Sequence, residues 1–261
     1  MSTSVSQAFA SAFTTTFIGM LFSWMVYGGT IAQILYYFQN YPKDKIRVKI
    51  FVLFLFALDT VKEITVCNAL WYRVVSNRGN VLAAEFWTPS DYTVWVFSAL
   101  AIVFVQWFYI HNIWILSRNP WLRILLTAFA VALTLMALAA SFAMVYETNL
   151  AQTSTEESET LVFAHLLVPS RLQSVTELAT NVYISLSLIF ILHGSKSGFR
   201  TTDNMISKLI TFVVNRGLVL FVLQLLEVVL YNAGQLGDTR SSLFYYPSST
   251  ININTALIVW A

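Results

Sequence analysis

Six charged residues stand inside apolar runs, where an ionised side chain is expensive: Asp59, Lys62 and Glu63 in one, Glu177 in another, and Arg216 and Glu227 in a third. In hydrocarbon each such group costs several kcal/mol unless it pairs or meets water, so each marks a binding site, an ion path or an internal pair. At 1.5 Å of helical rise per residue, Asp59 lies about 15 Å from Lys49 and Arg216 about 12 Å from Lys208. The matched depth predicts an Asp59–Arg216 ion pair. Gln33, Gln106 and Asn181 fall about 15 to 18 Å from the same side, forming a polar belt near mid-membrane. Glu63, Glu177 and Glu227 fall about 20 to 28 Å away, as an acidic vestibule above it.

The chemistry open to this set is recognition rather than catalysis. Asp59, Glu63, Glu177, Arg216, Glu227 and Gln106 form the expected ligand-binding set, suited to a cationic or amine-bearing small molecule entering from outside. A plainer alternative has Glu63 pairing with Lys62, Glu177 and Glu227 reaching interfacial water, and the belt holding helices together.

Other chemistries lack their residues. No lysine follows Lys208 to carry a retinal Schiff base, and no acidic-Arg-Tyr or Asn-Pro-x-x-Tyr motif of rhodopsin-like receptors occurs. A zinc or haem site in a bundle needs several histidines at helical spacing. His111, His165 and His193 do not share a level, so no metal and no cofactor is expected. No Gly-rich phosphate loop, nucleophile elbow or N-x-[ST] sequon appears, and no enzymatic activity is expected. The single cysteine, Cys67, permits no internal disulfide.

Long apolar helices must position these groups. Of 261 residues, 57% are hydrophobic and 11% charged, and mean hydropathy is +0.67. A soluble domain carries about 25% charge, so the composition is that of a bilayer protein. Net charge is +2, with no basic run to neutralise successive phosphates, which argues against a nucleic-acid partner. A span needs about 20 apolar residues. Such runs cover about 13–38, 50–72, 92–116, 121–146, 172–193 and 210–231, with a weaker seventh at 243–261. The expected fold is all-α: one membrane domain over 1–261, a bundle of seven transmembrane helices, the seventh short or truncated. The first helix, with no basic residue before it, reads as retained rather than cleaved. In the fourth, Ala128, Ala132, Ala139 and Ala143 read as a stripe for close helix packing.

Orientation follows from Lys and Arg, which cytoplasmic loops retain. Lys43, Lys45, Arg47, Lys49, Arg118, Arg123, Lys196, Arg200 and Lys208 lie on one side. The other side holds Arg73, Arg78, Arg171 and Arg240 among seven acids. The N-terminus is therefore expected outside. Asp44 and Asp203, acids in basic inner loops, read as turn and cap residues.

Three stretches together resemble a large family of fungal, chiefly basidiomycete, multi-pass membrane proteins known only as a domain of unknown function. The first contains Gly19, Tyr27, Gly28, Gln33, Tyr36, Tyr37, Pro42, Asp44, Lys49 and the Leu58-Asp59-Thr60 triplet. The second, VQWFYIHNIWILS, matches through Gln106, Phe108, Ile113, Trp114 and Ser117. The third, SGFRTTDNMISKLI with VVNRG, matches through Gly198, Phe199, Thr202, Asp203, Leu209, Asn215 and Gly217. Departures include Asn112, Lys62 and Arg216, where the family usually has Arg, His and Thr, and the absence of a Leu-Asn-x-Arg finish after Asn254. The resemblance implies seven helices and a fungal source, and no activity.

The functional expectation is a receptor-like membrane protein that takes a small ligand from outside and presents its basic inner loops to a cytoplasmic protein partner. The alternatives are a small transporter or channel with a polar path, or a non-catalytic structural protein. Membrane lipids are expected partners in every case.

Overall fold

The computed structural model describes residues 2–77, 88–117, 119–153, 159–195, 200–233 and 240–258. Among them, the regular elements are all helices: α1 Ser2–Asn40, α2 Ile46–Trp71, α3 Pro89–Leu116, α4 Pro120–Thr153, α5 Glu159–Gly194, α6 Arg200–Ala233 and α7 Ser242–Leu257. A single π-helical turn, Tyr72–Ser76, extends α2. Each helix packs on the next, and α7 returns to pack on α1, so the seven form a closed ring. Helices α3 and α7 fill its middle: α3 also touches α5, and α7 touches both α2 and α3.

Helices consecutive in the chain alternate in direction, and α7 runs parallel to α1, with Gly19 facing Ser242 and Thr30 facing Asn254; the ring thus has a basic end, around Lys43, Lys45 and Lys49, and an opposite end where α3 and α7 begin. Pro42 and Asp44 shape the α1–α2 turn at the basic end, and Asp44 accepts a 3.0 Å hydrogen bond from the Tyr37 hydroxyl. At the opposite end, α3 starts on a Thr88–Asp91 capping box with Pro89 at its first position, where a missing N–H costs nothing. Asp91 Oδ2 accepts from Thr88 N, Thr88 Oγ1 and Arg73 Nη2, each at 2.7 Å. One carboxylate thus caps α3 and pins it to the end of α2.

Among the described residues, five helices are long and apolar enough to cross a bilayer: Thr14–Asn40, Pro89–Leu116, Pro120–Leu150, Val168–Gly194 and Asp203–Tyr231. The chain is a multi-pass membrane protein. Helix α2, though 26 residues long, carries Asp59, Lys62 and Glu63 at its centre, and α7 has only 16 residues. The outward surface is apolar, with Trp121 82% and Met25 75% exposed, while Ser, Thr, Asn and Gln face inward. This inverted pattern suits a lipid surround.

Two close approaches set the packing. A Cβ on Gly19 would stand 2.6 Å from the Ser242 carbonyl oxygen, so only glycine lets α1 touch the start of α7. A Cβ on Gly217 would meet Ser185 Oγ at 2.8 Å, which holds α6 against α5. The expected alanine stripe on α4 differs: Ala128, Ala132, Ala139 and Ala143 are exposed, and the buried face runs through Thr127, Ala130, Thr134, Ala137 and Ser141. All four-residue spacings in an alanine-rich helix look alike, and the buried face is the one whose hydroxyls need shelter from lipid. Helices α4 and α5 also run on to Thr153 and from Glu159, beyond the spans expected to end near residue 146 and begin near 172.

Candidate functional site

The polar interior divides into three clusters, each held by different helices. The first lies among α1, α2 and α7. Lys62 Nζ meets Glu63 Oε1 at 2.8 Å, Ser23 Oγ at 2.9 Å, the Tyr246 carbonyl at 2.8 Å and Thr250 Oγ1 at 2.7 Å. Asp59 accepts from Thr250 Oγ1 at 2.8 Å and Thr30 Oγ1 at 3.2 Å. Glu63 Oε1 also takes Ser23 Oγ at 2.6 Å. Asp59 and Lys62 are fully buried and Glu63 nearly so. On α7 the partners Tyr246, Thr250 and Asn254 recur every four residues, so they form one face of the helix. Asn254 closes the row on α1, accepting from Thr30 Oγ1 at 2.8 Å and donating to the Val26 carbonyl at 3.1 Å.

The second cluster is a line of amides across α3, α5 and α6. Gln106 Nε2 donates to Asn181 Oδ1 at 3.3 Å, Asn181 Nδ2 to Gln224 Oε1 at 3.2 Å, and Gln224 Nε2 to Glu177 Oε1 at 2.6 Å. Glu227 lies one turn beyond Gln224 and accepts from Ser174 Oγ at 3.4 Å. Both glutamates are buried. Among the described residues neither pairs with a Lys, Arg or His, and each sits within electrostatic reach of the other. The two buried carboxyls form an acidic cluster toward the end of the bundle opposite the lysine-rich turns.

The third cluster is Arg216. Its guanidinium lies over the Tyr109 ring, 3.4 Å from the centroid, and Nε donates to Thr255 Oγ1 at 3.3 Å. The residue is 2% exposed, and Nη1 and Nη2 have no hydrogen-bond partner among the described residues. Tyr109 is fixed in turn by its hydroxyl, which donates to the Thr255 carbonyl at 3.2 Å.

The Asp59–Arg216 ion pair expected from depth is absent among the described residues. Thr250, which holds Asp59, and Thr255, which holds Arg216, are five residues apart on α7, about 140° around its axis. Helix α7 therefore stands between the two charges. The pairing that does form at this level is Lys62 with Glu63, on the same turn of α2. The acidic trio divides as well: Glu63 belongs to the first cluster, Glu177 and Glu227 to the second. Of the expected belt, Gln106 and Asn181 bond directly, whereas Gln33 on α1 takes no part and keeps a buried Oε1 with no partner among the described residues.

Sequence reasoning missed Gln224, Thr250, Ser23, Thr30 and Thr255. A search led by charge passes over neutral donors. The signal for Gln224 was an amide three residues before Glu227 in an otherwise apolar run. The signal for Thr250 and Thr255 was the polar stretch Ser248–Asn254 with its flanking threonine, which weakens α7 as a span and supplies partners for the charges of α2 and α6.

Residues 177–259 match the model of a family of unknown function, DUF6534. The matched stretch begins at Glu177 and takes in α6 and α7, and so holds Gln224, Glu227, Arg216, Thr250 and Thr255. No curated protein and no solved structure matches the chain.

Proposed function

We propose that the chain is a receptor-like protein of seven membrane spans, N-terminus outside, which binds a small cationic or amine-bearing ligand at Glu177 and Glu227. Seven spans are supported by the closed ring: α2 has its central charges paired inside the bundle, and α7 at 16 residues covers about 24 Å. The resemblance to fungal seven-span proteins supports the same number. Orientation rests on Lys43, Lys45, Arg47 and Lys49 gathered at one end, the side that stays in the cytoplasm.

The observation that carries the ligand is the pair of buried carboxyls with no basic partner among the described residues. A cation between them would relieve their mutual repulsion and replace the water that each carboxylate loses on burial. Gln224 ties this cluster to Asn181 and Gln106, so an occupant that draws Glu177 aside also pulls on α3 and α6. Those helices end on the basic face, where a cytoplasmic protein would dock.

The test is thermal unfolding of the purified protein in nanodiscs with primary, tertiary and quaternary amines. A saturable rise in Tm that disappears in Glu177→Gln/Glu227→Gln supports the reading. No rise with any amine, or an equal rise in the double variant, overturns it. A transporter is favoured by one observation, the polar interior that continues from Glu227 through the amide line toward Arg216. Uptake of a stabilising amine into proteoliposomes would choose transport over signalling.

A further inference from the structure

Arg216 is a cation that the described protein does not neutralise. Its side chain is buried, Tyr109 covers one face and Thr255 takes Nε, yet the edge bearing Nη1 and Nη2 meets no acceptor and no carboxylate. A ring face gives partial compensation for a guanidinium, but a buried charge without a counter-ion remains strongly unfavourable. The free edge is the part of the fork that binds two oxygens of one planar or tetrahedral anion at once.

Two further unpartnered atoms belong to residues one helical turn from those that hold it. Gln106 Oε1 on α3 and Asn252 Oδ1 on α7 are buried with no donor among the described residues. Each is three residues before the residue that holds Arg216, Tyr109 and Thr255 respectively, hence on the same helical face about 4.5 Å nearer mid-membrane. The unpartnered donors describe a site for an anionic group, and the two acceptors can take any O–H or N–H that the group carries. The approach is also charged correctly, because the end of the bundle nearer Arg216 carries Lys43, Lys45, Lys49 and Lys208.

We infer that Arg216, with Gln106 and Asn252, forms an oxyanion site between α3, α6 and α7, taking a phosphate or carboxylate group from the basic side. The site is separate from the acidic cluster: Arg216 and Glu227 are eleven residues apart on α6, about 16 Å of rise. The oxyanion is either a free small molecule or the headgroup of an anionic lipid reaching in from the adjacent leaflet.

The experiment is thermal unfolding of the wild-type protein with three probes at constant ionic strength, chloride replacing each anion in the control. The probes are inorganic phosphate, butyrate, and nanodiscs of phosphatidic acid in phosphatidylcholine against phosphatidylcholine alone. Dose-dependent stabilisation by phosphate or butyrate identifies a free ligand, and stabilisation by phosphatidic acid alone identifies a headgroup. Arg216→Gln should weaken the effect roughly tenfold or more, as expected for loss of a charge-assisted fork. Arg216→Lys, which keeps the charge and loses the fork, should fall between. If no probe raises the Tm of the wild type, or the rise is the same in Arg216→Gln and Arg216→Lys, the site does not exist. The wild-type arm decides even where a variant fails to fold.

Discussion

Lys62 on α2 donates to the backbone carbonyl of Tyr246 on α7 at 2.8 Å, at the residue just before Pro247. Three helices converge on this ammonium, since Ser23 of α1 and Thr250 of α7 share it. A charge buried at the centre of α2 is thus the fastening between α2 and α7.

Lys62→Met should therefore be costly. Removing one partner of a buried pair leaves Glu63 and Asp59 with hydroxyl donors but no cation, at about 3–5 kcal/mol. Lys62→Met/Glu63→Gln should recover part of that loss. Size-exclusion profiles and Tm of the single and double variants in detergent check the order; a single variant as stable as the wild type would contradict the buried network.

The contact between Gly19 and Ser242 makes a paired prediction. Gly19→Ala drives a methyl against a backbone oxygen that cannot swing away, costing about 1–3 kcal/mol. Gly28→Ala on the same helix meets nothing within 4 Å and should be neutral or stabilising by up to about 1 kcal/mol through helix propensity. Urea or SDS unfolding of the two variants should separate them in that direction.

Within the amide line, position sets the penalty. Asn181→Leu strands both Gln106 Nε2 and Gln224 Oε1, and each unpaired buried group costs about 1–3 kcal/mol. Gln106→Leu ends the line at Asn181 and strands one acceptor, so it should cost less. Unfolding free energies that rank the two variants the other way would refute the hydrogen-bond order.

Asp91 combines an ion pair with a cap. Asp91→Asn keeps the shape but gives up the charge, and should destabilise by about 1–3 kcal/mol. The Arg73 and Asp91 side chains are 9% and 2% exposed, so the wild-type contribution should change little with added salt, unlike a surface pair. Tm measured across a salt series in both proteins tests this.

The helices and the inward turn of the polar residues were legible from the chain because both follow from one dimension, the length and hydropathy of each run. Partner choice was not. Depth along a helix is readable at 1.5 Å per residue, and it placed Asp59 and Arg216 level. Their azimuth depends on how α7 is rotated, and α7 was the least apolar helix, so its polar face looked like a defect. Gln106 and Asn181 were placed at one level and bond to each other, on helices that also pack together. Gln33 had the same depth but sits on α1, across the bundle from that line. Depth alone identifies candidates; rotation decides which of them meet.

The ring closes through α7, and Lys62 is 184 residues ahead of the Tyr246 carbonyl that receives it. A ribosome therefore completes α2 long before the partners on α7 exist. Any nascent chain that stops short of residue 242 leaves Lys62 with Glu63 and Ser23 but without Tyr246 and Thr250. Docking of α7 against α1 and α2 then supplies the two partners that were lacking.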